Sequence, residues 1–131
     1  MAEVNWQEIL GWSVEQYEEL RLAGFSFLRE GKYEKAALFF QTLVLLNPSS
    51  SYDQETLGAL YLQMGLTDKA LEVLDIALAL DPAHEPSQLN RAKALLQLGR
   101  KAEALVAVKQ LELSKDPAIS GDAAALHLAY S

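Results

Sequence analysis

The side chains best suited to acid–base or metal chemistry in this sequence are two histidines and a few clustered carboxylates. His84 follows Pro82 in what reads as a turn, and His127 lies near the end of the sequence. Neither has a second histidine or a paired carboxylate at the spacing that a ligand set or a proton relay needs, so both read as surface or packing residues. Glu18 with Glu19, and Asp53 with Glu55, are close along the chain, but such close neighbours on a helix point apart, and solvated charge accounts for them. Cysteine is absent, which removes thiolate nucleophiles, disulfides and thiolate metal sites. Gly24, Gly31, Gly58, Gly65 and Gly99 are spread regularly rather than gathered into a phosphate-binding loop. The sequence therefore calls for no cofactor and no metal, and it argues against an enzyme.

What must be positioned, then, is a surface rather than a catalytic group. The 131 residues are 50% hydrophobic, enough for one domain that buries a core without staples. The start, Met1-Ala2-Glu3-Val4, has no basic cluster and no long apolar run before the first charges, which argues against a cleaved secretion signal. No segment is long enough to span a bilayer, and the cytoplasm is the expected compartment. The net charge of −7 disfavours a nucleic-acid partner, whose phosphates need cations. The acid is concentrated early: residues 1–68 hold ten acids and four bases, residues 69–131 eight and seven.

The elements come from a repeated phrase. "GKYEKAALFFQTLVLLNP" begins at Gly31 and "GLTDKALEVLDIALALDP" at Gly65, a spacing of 34 that Pro48 and Pro82 keep and that Gly24 and Gly58 share. A third copy, "GRKAEALVAVKQLELSKDP", begins at Gly99 and reaches Pro117 one residue late; Ala36, Ala70 and Ala104 hold one place in all three. Within a copy, Leu57, Leu60, Tyr61 and Met64 keep helical spacing, Gly65 ends that helix, and Ala70, Leu71, Leu74, Ala77 and Leu78 resume the period. Each copy is thus two antiparallel helices, with small residues at Gly58 and Ala70 for close approach. A lone hairpin cannot bury its apolar face, so the copies must stack.

These residues resemble the tetratricopeptide repeat. Residues 17–50 supply Leu20, Gly24, Phe27, Gly31, Tyr33, Ala36, Phe40 and Pro48, and residues 51–84 supply Leu57, Gly58, Tyr61, Gly65, Ala70, Leu74, Ala77 and Pro82. Residues 85–118 depart with Arg91-Ala92 where Leu-Gly is expected, then return at Leu95, Gly99, Ala104 and Pro117. The resemblance implies an all-α fold: a right-handed superhelix of three helical hairpins over 17–50, 51–84 and 85–118, with an N-terminal helix over 1–16 and a C-terminal capping helix over 119–131. Ser120 is suited to cap that last helix. Trp6, Leu10 and Trp12 form an apolar load on an edge element, which serves either as a cap or as a homodimer contact.

In the repeat family, the first helix of each hairpin lines a concave groove. The positions that face a ligand map here to Glu18, Arg21, Phe25, Leu28 and Arg29; to Tyr52, Glu55, Ala59, Leu62 and Gln63; and to Pro86, Leu89, Lys93, Leu96 and Gln97. Phe25, Leu62, Leu89 and Leu96 would supply apolar contact to an extended peptide, while Arg21, Arg29 and Lys93 would orient it. Packing between hairpins would account for one or two of Leu28, Leu62 and Leu96, but less well for all of Phe25, Ala59, Leu62, Leu89 and Leu96, which recur on the face that hairpin packing leaves open. The clamp by which one subgroup grips the C-terminal carboxylate of heat-shock chaperones is absent: its places hold Arg21, Phe25, Thr56, Pro86 and Asn90, of which only Arg21 keeps the charge, and Phe25 replaces an amide that must hydrogen-bond. The arrangement of an acidic N-terminal segment, three repeats and a short terminal helix is instead similar to the bacterial type III secretion chaperones that hold hydrophobic translocator proteins, as are "GKYEKA" and "EPSQLNRAKALLQLGRKAEA". That resemblance implies a protein or peptide partner, with a scaffold subunit of a larger assembly as the alternative role.

Overall fold

The computed structural model describes residues 11–131. They form seven α-helices and no strand: α1 (Val14–Arg29), α2 (Tyr33–Leu46), α3 (Ser51–Gln63), α4 (Thr67–Leu80), α5 (Glu85–Gln97), α6 (Lys101–Leu111) and α7 (Pro117–Tyr130). Each helix packs on its successor; in addition α3 lies against α5, and α5 against α7. Trp6 and Leu10 lie outside the described residues. Trp12 precedes α1, and its ring sits 5.7 Å from that of Tyr17.

Three turns of one geometry join the two helices within each hairpin. Gly31, Gly65 and Gly99 have φ of 76°, 76° and 78°, the left-handed region that a side chain resists. Around each glycine the same two hydrogen bonds recur: Gly31 N–H to the Leu28 carbonyl and Lys32 N–H to that of Phe27 (3.0 and 2.9 Å), with Gly65 and Leu66, then Gly99 and Arg100, repeating them 34 and 68 residues on. These satisfy the last carbonyls of the outgoing helix and turn the chain back on itself.

Packing within a hairpin follows a size rule. A Cβ on Gly24 would lie 2.8 Å from Phe40 Cε2, and one on Gly58 would lie 2.6 Å from Leu74 Cγ. The third hairpin carries Ala92 in that place, but the residue opposite is Val108; both are fully buried in one cluster. A smaller partner makes room for the methyl group, so the departure from Leu-Gly is compensated rather than disruptive. Its neighbour Arg91 reaches Asp75 on α4 (2.7 Å) and Glu103 on α6 (3.4 Å), and the bond to Asp75, opposed by burial, is the main cause of its raised pKa.

The last helix begins earlier than its serine suggests. Asp116 accepts from Ala118 N–H at 3.0 Å and Pro117 takes the first helical position, where its missing N–H costs nothing. Ser120 lies inside the helix, its hydroxyl bonded to the Pro117 carbonyl, so the expected Ser120 cap is corrected to Asp116. Helix α7 lies against α5 as α5 lies against α3 and covers the third hairpin with Ile119 and Ala123. Among the described residues, no helix is long and apolar enough to cross a membrane.

Candidate functional site

The first helices do not line up uniformly. Helices α3 and α5 approach more closely than α1 and α3, which are linked through side chains. Arg21 Nε and Nη2 donate to both oxygens of Asp53, each at 2.8 Å, and Nη1 donates to Glu18. Asp53 is 1% exposed. The bond to Asp53 raises the Arg21 pKa further above its ordinary range, against the opposing effect of burial. Next to this pair, Phe25 packs edge-on to Phe40 (5.1 Å, 74°) and faces Tyr52 at 6.3 Å.

Two hollows flank the Phe25–Tyr52 pair. One, of about 440 Å³, is bounded by Phe25, Leu28, Tyr52, Glu55, Ala59 and Gln63. The other, of about 490 Å³, runs past Glu18, Arg21 and Leu22 to Ser50. Because both share Phe25 and Tyr52, they form one groove along the α1–α3 seam, lined by these rings, by Leu22, Leu28 and Ala59, and by the polar side chains of Glu18, Arg21, Glu55 and Gln63. Shallow pockets of this mixed polar and apolar lining accept alternate side chains of an extended chain. Among the described residues, no group of three or more histidines and carboxylates could hold a metal ion.

The sequence-derived residues separate accordingly. Phe25, Leu28, Tyr52, Ala59 and Gln63 come together in the first hollow, with Arg21 in its neighbour. Leu62 is half-buried against the main core. Leu89 and Leu96, expected on the open face, are 5% and 7% exposed. The reason is local: α7 covers Leu89 with Ile119 and Ala123, and Leu96 is enclosed with Leu95 and Ala104. Lys93 lies 4.0 Å from Asp122 of α7. Arg29 is exposed in the last turn of α1, where its charge suits the helix end. The cations read as orienting a peptide are therefore engaged within the chain at Arg21 and Lys93.

The reading of Asp53 and Glu55 as solvated charges is corrected. Asp53 is held by Arg21, and Glu55 Oε1 accepts from Asn90 Nδ2 at 2.7 Å across the α3–α5 seam. Burial raises the Glu55 pKa, with His84 and the Asn90 bond acting the other way. A signal for both was present: Arg21 and Asp53 are 32 residues apart and Glu55 and Asn90 are 35 apart. Complementary polar residues about one period apart fall on neighbouring first helices.

A family model described as the tetratricopeptide repeat matches residues 56–118. Over those residues the chain is similar to that repeat. The first hairpin lies outside that match, yet repeats its turn geometry at Gly31. Solved structures of secretion chaperones are close to this chain in shape. The type III secretion translocator chaperone SycD of Yersinia enterocolitica has a TM-score of 0.84 at 26% identity, covering 98% of this chain and 99% of that one. SycD with a peptide of the translocator YopD gives 0.77 at 26%, over 91% and 98%. PcrH with the chaperone-binding region of PopD gives 0.82 at 26%, over 92% and 94%. Among curated relatives, anaphase-promoting complex subunit 3 of Schizosaccharomyces pombe is 27% identical over 96% of this chain, which spans only 18% of that protein's length.

Proposed function

We propose that this repeat protein binds an extended segment of another protein along the α1–α3 groove, and that it serves in the bacterial cytoplasm as a type III secretion chaperone for a hydrophobic translocator. The observation that carries the reading is the continuous groove built around Phe25 and Tyr52, on a chain similar over nearly its whole length to SycD. A translocator must stay soluble before export. Covering one apolar segment removes that surface from solution, while the acidic exterior keeps the complex dispersed. Ordering the segment offsets part of the contact energy, which leaves an affinity compatible with release. The role is one of binding, not catalysis.

A second reading, a scaffold subunit, draws on the likeness to a subunit of the anaphase-promoting complex. Co-expression of the partner with wild type and with Phe25→Glu/Ala59→Glu separates the two. A chaperone keeps the partner soluble and the double variant does not, with helicity retained. Equal partner solubility with and without this protein would favour the scaffold, and full protection by the double variant would move binding away from the groove.

A further inference from the structure

The sequence assigned three cations to peptide orientation, which would suit an acidic partner. The groove has the opposite balance. Arg21 is occupied by Asp53 and Glu18, Lys93 lies beside Asp122, and Arg29 is exposed in the last turn of α1, outside the residues that line the two hollows. What remains in the hollow of Phe25, Tyr52 and Ala59 is the carboxylate of Glu55. Its Oε1 is taken by Asn90, and no partner reaches Oε2 among the described residues. His84, at the start of α5, hydrogen-bonds to Ser87 rather than to this carboxylate. That second oxygen is open to solvent on the wall of the hollow, free to accept a charge-assisted hydrogen bond from a cation that enters with the ligand.

We propose that Glu55 selects a partner segment bearing a lysine or arginine two residues from the apolar side chain that enters the Phe25–Tyr52–Ala59 hollow. In an extended chain, residues i and i+2 project to the same side, roughly 7 Å apart. An anchor in the hollow therefore brings the cation to its acidic wall. The inference rests on the groove reading and adds the sign of the partner's charge.

The test uses three fluorescein-labelled peptides in anisotropy titrations at low salt: STLVKLTVSG and its versions with Gln or Glu in place of Lys. Wild type is expected to bind the Lys peptide about fivefold to tenfold tighter than the Gln peptide, the scale of one charge-assisted hydrogen bond, with the Glu peptide weakest. Glu55→Gln should bind the Lys and Gln peptides equally. Equal affinities in wild type, or a Lys preference that survives Glu55→Gln, overturn the assignment. If Phe25→Glu abolishes binding of all three while wild type shows no Lys preference, the groove stands and only this inference falls. If no peptide binds wild type, or Phe25→Glu binds as wild type does, the groove reading falls and takes the inference with it.

Discussion

Replacing Asp53 by alanine tests whether side chains hold the first hairpin to the second. The pair is bidentate, Asp53 is 1% exposed and the Arg21 side chain 17%. Removing one member of a buried pair costs about 3–5 kcal/mol, because a charge is left without its partner. Arg21 keeps Glu18 and some solvent, which places the expected loss near the lower end, about 3 kcal/mol. For a chain of this size that corresponds to a fall in Tm of roughly 10 °C. Asp53→Asn, which retains the shape and one good acceptor, should lose about half as much. Arg21→Met/Asp53→Leu should recover most of the loss, since apolar replacement of a whole buried pair is close to neutral. Urea and thermal melts followed by circular dichroism give these values, and hydrogen exchange locates the weakened part in α1 and α2. A loss below about 1 kcal/mol for Asp53→Ala, or a double variant as unstable as the single one, would refute the argument that this pair carries the seam.

Gly58→Ala should destabilise by about 1 kcal/mol, the clash with Leu74 outweighing the gain in helix propensity, and adding Leu74→Val should reverse the loss, as Ala92 and Val108 do in the third hairpin; chemical denaturation measures both. Glu55→Gln should raise Tm near pH 7. Because the Glu55 pKa is raised in the folded state, that state holds the proton more tightly than the unfolded chain, so the stability this group contributes is full below the ordinary carboxylate range and is lost as pH rises through its raised value. The gain from Glu55→Gln should therefore shrink as both proteins are taken toward about pH 4. Leu89→Ala should cost about 2–5 kcal/mol and loosen α7 in hydrogen exchange, while leaving peptide affinity at the α1–α3 groove unchanged.

Much of the architecture was legible because its causes are local and periodic. A glycine at positive φ ends each first helix, and the recurrence of Gly31, Gly65 and Gly99 marks three such turns. The groove was legible in part. Phe25, Tyr52 and Ala59 follow from their places in the repeat, but a place in the repeat does not say what lies opposite. Leu89 occupies a groove-facing position and is nevertheless covered, because α7 stands where another first helix would stand. Asp53 looked like an ordinary surface acid until Arg21, one helix away, was seen to meet it. The start of α7 was misread from Ser120 because Asp116-Pro117 belongs to the turn signal as much as to the repeat.

The central claim is that the α1–α3 groove is where the partner lies, and site-specific photocrosslinking tests it most directly. A benzophenone amino acid is placed at Ala59, in the groove, or at Leu38, exposed on α2, and each protein is expressed in its native host and irradiated. The account predicts an adduct with one hydrophobic secreted protein from Ala59 and none from Leu38, with the Ala59 adduct lost when Phe25→Glu is added. Adducts from Leu38 alone, or an Ala59 adduct indifferent to Phe25→Glu, would contradict it.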